Sequence, residues 1–312
     1  EHFIAPAIYT PEVVSTLRRH LEAAEIIADA PVSHPLNRNE KLYVERVKLA
    51  RISFDIIDHY MAMVRAGASE GDYKTAVAAG KRGLASVLAL AKFNPGLTPT
   101  HNAKLETIEP GGDAAWWPGE VGQYIEQQEY SNGTKGTLIA KTPLEWAFRR
   151  DPNDTGLASG WAYKPVDLTY WNANKNKYSI ETRKDYPTTQ WEMLRTDLYM
   201  QAQGVRHADQ QSFTGHAWYR TEVELTPEQA RNKVHIRFPG LFNEGWLYIN
   251  GHLVAHREQK PLWALNDYKF QWDADLSGKV KPGRNTITLR LHNPMYLGGI
   301  FRRPFLYRPA GS

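Results

Sequence analysis

The acidic residues of the C-terminal half are the first candidates for chemistry, because two facing carboxyl groups can act as general acid and base on one substrate. The candidates are Glu244, Glu258, Asp267, Asp273 and Asp275. Sequence alone places no two of them in one cleft. Solvated loop carboxylates or local turn caps are therefore the favoured interpretation, and no catalytic residue is assigned.

Two further groups have the form of metal ligands. His252 and His256 share one face of a predicted strand, but no third ligand can be identified beside them. The run from Asp151 to Gly156 begins like a calcium loop, yet the twelfth position, where an EF-hand has a bidentate Glu, is Ala162. We expect no cofactor, although a structural calcium ion bound elsewhere remains an alternative.

Composition and missing motifs exclude several classes of protein. The 312 residues carry a net charge of only +4, without the dense basic run that follows a phosphate backbone. No apolar stretch reaches the roughly 18 to 20 residues of a membrane helix, and the absence of cysteine excludes disulfides and thiolate zinc sites. Nucleophile-elbow, zincin and phosphate-loop motifs are absent as well. We therefore expect neither nucleic acid nor membrane as a partner.

Helical periodicity characterises the chain before residue 100. N-cap and stop signals predict three helices. They run from Thr10-Pro11 to near Ala30, from Asn37–Asn39 to about Arg65, and from Ser69–Asp72 to Asn94. The prediction is an N-terminal antiparallel helical bundle over residues 1–100. Residues 101–140 are predicted to be a connector packed on the next domain, with one strand at Gly122 to Gln128.

Short runs rich in aromatic and β-branched residues alternate with turn signals from residue 141 to 312, and all ten tryptophans lie at or beyond Trp116. The predicted strands are Trp218 to Leu225, Lys233 to Phe238, Trp246 to Ile249, His252 to His256, Tyr268 to Trp272, Asn285 to His292 and Phe301 to Tyr307. Asn250-Gly251 predicts a type I′ hairpin. The fold class is thus α+β multidomain, with an antiparallel β-sandwich following the bundle.

Motifs of this second half resemble the galactose-binding-like jelly roll that is the sugar-binding domain of glycoside hydrolase family 2. Gly215 to Arg220 resembles the family's Gly-x-Ala-Trp-Tyr-Arg strand, and Gly245 to Gly251 its central hairpin. Residues 146–161 resemble its opening strand and loop, and residues 282–285 and 298–304 its closing strands. Two segments, 172–189 and 201–214, depart from the family pattern. The helical part resembles, loosely, the bundles that precede such sandwiches at the C-terminal end of bacterial polysaccharide-degrading proteins.

The resemblance implies a non-catalytic carbohydrate-binding or support region of a bacterial glycoside hydrolase or related enzyme. A polysaccharide or oligosaccharide is the implied ligand, a catalytic domain or chain the implied partner, and the location extracellular or periplasmic. Two alternatives stay open. One is a glycoside hydrolase with a carboxylate pair in the cleft between bundle and sandwich, and the other is a purely structural accessory domain.

Sugar-binding surfaces combine exposed aromatic rings with planar polar side chains. Trp146, Trp218 and Trp246 lie in predicted strands, where core packing is favoured, whereas Trp263 and Tyr296 lie in predicted loops and are the candidates for stacking. Further ligand-binding candidates are Asn243 and Glu244 for sugar hydroxyls, Arg257 for the carboxylate of a uronic acid, and, from the family's loop positions, His207, Asp209, Gln210, Asn293, Arg302 and Arg303.

Overall fold

The computed structural model describes residues 5–31, 33–94, 96, 117–231, 233–258, 270–295 and 297–311. The chain is a mixed α and β protein with antiparallel sheets. It divides into two compact units. The first contains Glu1–Gly67 and Asp72–Ile125, and the second contains Ala68–Gly71 and Glu126–Ser312. Within the described ranges, no helix is both long enough and apolar enough to cross a membrane.

The first unit is helical. Its helices are α1 (Ala5–Ile8), α2 (Pro11–Ala28), α3 (Arg38–Val64), α4 (Tyr73–Phe93) and α5 (Trp117–Asn132), the last of which continues into the second unit. The predicted caps are present: Thr10 accepts from the Val13 amide, and Asn37 forms a capping box with Glu40. After α3, Arg65–Glu70 forms a π-helical turn, and Asp72 then caps α4.

Helix α3 packs against both α2 and α4. Gly80 of α4 allows a close approach, because a Cβ there would lie only 2.6 Å from Val121 and 2.7 Å from the Met63 sulfur. Val121 belongs to α5, so the predicted strand at Gly122 to Gln128 is wrong. The buried residues Val121, Tyr124 and Gln127 recur every three residues, which is the period of a helix face.

The second unit contains twelve strands among its described residues, all paired antiparallel. A six-stranded sheet has the order β3-β2-β4-β10-β7-β8, a four-stranded sheet β1-β12-β5-β9, and a two-stranded sheet β11-β6. The bounds are β1 Gly136–Lys141, β2 Glu145–Asp151, β3 Glu192–Arg195, β4 Gly215–Leu225, β5 His235–Phe238, β6 Gly240–Phe242, β7 Glu244–Ile249, β8 His252–Arg257, β9 Trp272–Asp275, β10 Gly283–Asn293, β11 Gly299–Arg302 and β12 Phe305–Pro309. Two short helices, α6 (Thr169–Asn174) and α7 (Pro227–Arg231), interrupt them.

Two strand predictions need correction. The strand predicted at Tyr268 to Trp272 begins only at Trp272 within the described residues. The strand predicted at Phe301 to Tyr307 is two strands, β11 and β12. Pro304 lies between them and has no amide hydrogen for a ladder bond, so one continuous strand is disfavoured there.

One hydrophobic cluster joins the sheets. It takes side chains from the six-stranded sheet, such as Trp146, Tyr219 and Leu289, and from the four-stranded sheet, such as Phe238 and Leu306. The opposite face of the six-stranded sheet, here called the outer face, carries a second cluster that includes Trp218 and Tyr248. Residues of the 152–191 segment, among them Trp161 and Trp191, cover it.

Candidate functional site

The strand register gathers four of the predicted site residues at one end of the six-stranded sheet. Asn293 ends β10, Arg257 ends β8, and Asn243 and Glu244 lead into β7. Glu244 is the register partner of His292, so the positions of Asn243 and Asn293 are neighbours. Strand register thus brings these four backbone positions to one end of the sheet.

Several of these side chains are already engaged within the protein. Asn293 is fully buried and donates from Nδ2 to the Phe213 carbonyl at 3.0 Å. Arg257 donates from Nη1 to the carbonyls of Leu241 and Phe270, at 3.0 and 3.1 Å. Asn243 is also buried. These hydrogen bonds hold the sheet end together, which makes positioning the first role of Asn293 and Arg257.

The loop before β4 holds His207 and Asp209. The His207 ring accepts the Thr214 amide at 3.0 Å through Nε2 and packs against Phe213. Asp209 is exposed and accepts the Gln211 amide at 3.1 Å. Both side chains stabilise their own loop in this structure. The predicted stacking residues Trp263 and Tyr296 lie outside the described residues.

Glu244 is the predicted residue with the most informative surroundings. Its Oε1 lies 2.9 Å from His256 Nε2, and its Oε2 lies 3.8 Å from His292 Nδ1. The Glu244 side chain is 19% exposed and that of His256 36% exposed, so solvent and a ligand can reach this carboxylate between two imidazoles. Glu244 therefore marks an accessible polar site on the outer face.

Cross-strand neighbours enlarge this site into what we call the outer-face cluster. One row across the sheet contains His216, His292 and Glu244, and the next contains Trp218, Arg290, Trp246 and His256. The cluster consists of His216, Glu244, Trp246, His256, Arg290 and His292, with Asp154 at its margin.

Three planar groups of the cluster form a stack. The Arg290 guanidinium lies 4.2 Å from the Trp246 ring centre on one side. His256 stacks on Trp246 with ring centres 4.9 Å apart and an angle of 10° between the planes. His256 belongs to β8, the last strand of the sheet, and its side chain is 36% exposed, so its second face, the one that does not contact Trp246, is partly accessible. Trp246 is thus partly exposed at the outer face rather than in the main core, where the sequence had placed it.

The charges of the cluster are arranged in pairs. Arg290 donates to Asp154 at 2.6 Å, and His216 Nδ1 lies 3.5 Å from the same carboxylate oxygen. Burial, followed by repulsion from Arg290, lowers the pKa of His216. The neutral form of the His216 ring is therefore favoured at pH 7. This ring lies beside that of His292, with ring centres 4.6 Å apart and an angle of 32° between the planes. A neutral imidazole offers one hydrogen-bond donor and one acceptor.

The calcium-like run beside the cluster has another role. The Asp151 carboxylate accepts the amides of Thr155 and Gly156 and the Trp218 indole N–H, at 2.8 to 2.9 Å. It therefore caps a turn instead of facing an open site. Among the described residues, no group of three or more His, Asp or Glu side chains could hold a metal ion.

Glu192 is the described carboxyl group whose pKa suits a general acid. Burial raises the pKa of Glu192 to about 7, against the opposing effect of Arg183 and Arg150. Its side chain is only 1% exposed, and Arg183 Nε lies 3.7 Å from Oε2. A substrate cannot reach this group in the present conformation. Glu192 is a buried structural acid here.

Sequence reasoning found Glu244 but missed most of its partners. His216, Arg290, His292 and Trp246 stand at alternate positions of strands whose intervening positions are mostly apolar. Polar or aromatic residues at i and i+2 of a strand indicate one shared face. The sequence contains this alternation, but only the strand order shows that β4, β10 and β7 are adjacent and present these residues on one surface.

Comparisons with known proteins identify no family, since no protein-family model and no curated protein sequence matches the chain. Among solved structures, similar ones include β-glucuronidase from Ruminococcus gnavus, at 18% identity and a TM-score of 0.41 over 56% of this chain. The same enzyme in complex with N1-substituted uronic isofagomine gives 17% and 0.42. The chain spans about 30% of the length of these structures. At this level of likeness they establish neither its fold nor its function.

Proposed function

We propose that the second unit is a jelly-roll β-sandwich of the galactose-binding type and that the chain is the non-catalytic carbohydrate-binding and support region of a bacterial glycoside hydrolase or related polysaccharide-degrading enzyme. Its ligand is a polysaccharide or oligosaccharide, its partner a catalytic domain or chain, and its location extracellular or periplasmic. The sequence motifs that resemble the family 2 sugar-binding domain support the architecture, and so does the single cluster shared by two antiparallel sheets.

The observation that carries the binding role is the outer-face cluster. It offers what a pyranose requires, namely a flat ring face for the apolar C–H side and polar groups for the hydroxyls. The second face of His256 supplies the ring. The Glu244 carboxylate accepts hydroxyl hydrogens, while the imidazoles of His216 and His292 donate or accept.

The test is binding of purified protein to a glycan array, followed by affinity gels with each polysaccharide that is retained. We expect Glu244→Gln and Trp246→Ala to weaken retention about tenfold or more, since each removes a contact or the support of the stacked ring. Tyr43→Ala, an exposed aromatic substitution in the helical unit, is the matched control and should bind like the unmodified protein.

Three outcomes would revise the proposal. Loss of binding in Trp263→Ala or Tyr296→Ala, with Glu244→Gln unaffected, would move the site from the outer face to those two residues. Turnover of a chromogenic glycoside by the purified chain would favour the glycoside hydrolase alternative. Retention of no glycan at all would leave the purely structural role.

A further inference from the structure

Arg302, at the end of β11, is a buried charge without a partner among the residues that the structure describes. Its side chain is 3% exposed, and within the described ranges none of its three guanidinium nitrogens has a hydrogen-bond acceptor. Its register partner across the two-stranded sheet is Gly240, which has no side chain to offer. The guanidinium lies 5.4 Å from the Phe301 ring centre, and Phe301 is in turn stacked on Tyr199 at 4.2 Å.

Such an arrangement is unusual, because a buried guanidinium normally bonds to a carboxylate or to several carbonyls. A cation–π contact with phenylalanine replaces only a small part of the lost hydration. Arg303, the next residue, has the usual hydrogen bonds of a buried guanidinium. It donates from Nε to the Thr142 carbonyl at 2.7 Å and from Nη1 to the Ser69 carbonyl at 3.1 Å.

We propose that Arg302 binds the anionic group of an acidic sugar, with a uronate carboxylate as the fitting partner. The planar guanidinium matches a carboxylate through two parallel N–H···O bonds, and pairing would relieve the burial of an uncompensated charge. The inference rests on the proposed carbohydrate-binding function and deepens it by assigning an acidic sugar unit to the ligand. Because the guanidinium is 3% exposed in the free chain, a ligand can reach it only after a local opening of the structure around it, so association should be slower than at an open surface site.

The experiment compares Arg302→Met with Arg303→Met by thermal unfolding, in buffer alone and with sodium galacturonate, sodium glucuronate, galactose, glucose or glucose 6-sulfate. In buffer, Arg302→Met should unfold at the same temperature as the unmodified chain or higher, since it removes an unpaired buried charge. Arg303→Met should unfold several degrees lower. The uronates should raise the Tm of the unmodified chain by about 2 °C or more at saturating concentration, and should not affect Arg302→Met.

Each other outcome overturns the inference. A lower Tm of Arg302→Met in buffer would mean that the guanidinium already has a stabilising partner within this chain. An equal response to galactose and galacturonate would remove the charge requirement, and a response to the sulfate alone would make the ligand a sulfated sugar. Binding of neutral glycans at the outer-face cluster without any uronate effect would refute this inference and leave the proposed function intact. Absence of all glycan binding would refute both.

Discussion

Glu192 should make the stability of the β unit depend on pH at the scale of a single residue. Burial raises its pKa to about 7, well above the usual value of a glutamate near 4.5, so the folded state keeps a proton that the unfolded state releases. The free energy of unfolding should therefore fall as pH rises from about 4.5 to 7, and level off above that. Glu192→Gln should abolish the contribution of this residue to the fall, with a gain over the unmodified chain on the order of 3 kcal/mol between pH 4.5 and 8.

Urea unfolding at pH 5, 6, 7 and 8, followed by tryptophan fluorescence, measures this difference. Glu224→Gln replaces an exposed carboxylate of the same unit and should keep the pH dependence of the unmodified chain. If the free energy of unfolding changed with pH in the same way for Glu192→Gln and the unmodified chain, the pKa of Glu192 would not be raised in the folded state.

How far the sequence predicts a site is also decided residue by residue. Glu244 was named because it stands just before the central strand and could accept sugar hydroxyls, and the structure places it in an accessible cluster. Its partners His256 and His292 lie 12 and 48 positions away along the chain, and they meet only through the pairing of β7 with β8 and β10. Residue types identify candidates, but strand register decides which of them meet.

At the scale of elements, turns with strict backbone requirements were predicted best. The type I′ hairpin at Asn250-Gly251 is confirmed, with φ of 51° and 85° and the pairing of β7 with β8. Helix caps with side-chain acceptors were predicted equally well, since Thr10, Asn37 and Asp72 each cap a helix. The strand predicted at Gly122 to Gln128 failed because this segment has only two large apolar residues, Tyr124 and Ile125, which are too few to define a period. Packing of Val121 against Gly80 is a tertiary contact that no local pattern contains.

The hairpin gives a prediction at this same scale. The Asn250 side chain donates to Asn285 Oδ1 and accepts the Thr286 amide, both at 3.0 Å, while its backbone has positive φ. Asn250→Gly should lose the two hydrogen bonds, at a cost of about 1 to 2 kcal/mol. Asn250→Ala should cost about 1 kcal/mol more, since alanine disfavours positive φ. Urea midpoints of the two variants measure the difference, and equal midpoints would mean that the turn relaxes to another type.

At the scale of the whole molecule, the sequence order and the compact units do not coincide. Residues 68–71 lie between two helices, yet they belong to the β unit. Ser69 Oγ donates to Asp197 at 2.6 Å, the Ser69 carbonyl accepts from Arg303, and the Glu70 carbonyl accepts from Lys141 at 2.8 Å. A domain boundary predicted from composition alone cannot show that these four residues belong to the β unit, because their residue types do not favour a strand.

Because residues 68–71 belong to the β unit, we expect a substitution within this short segment between the helices to weaken the β unit. Ser69→Ala should lower the free energy of unfolding of that unit by about 1 kcal/mol, because Asp197 is buried and loses one donor. Eight of the ten tryptophans lie at or beyond Trp146, so fluorescence reports mainly on the β unit, whereas circular dichroism at helical wavelengths reports mainly on the helices. In urea, the fluorescence midpoint should therefore fall. Ser86→Ala in α4, whose hydroxyl bonds only its own helix, should leave that midpoint unchanged. If Ser69→Ala lowered only the urea midpoint measured by circular dichroism, residues 68–71 would contribute to the stability of the helical unit instead.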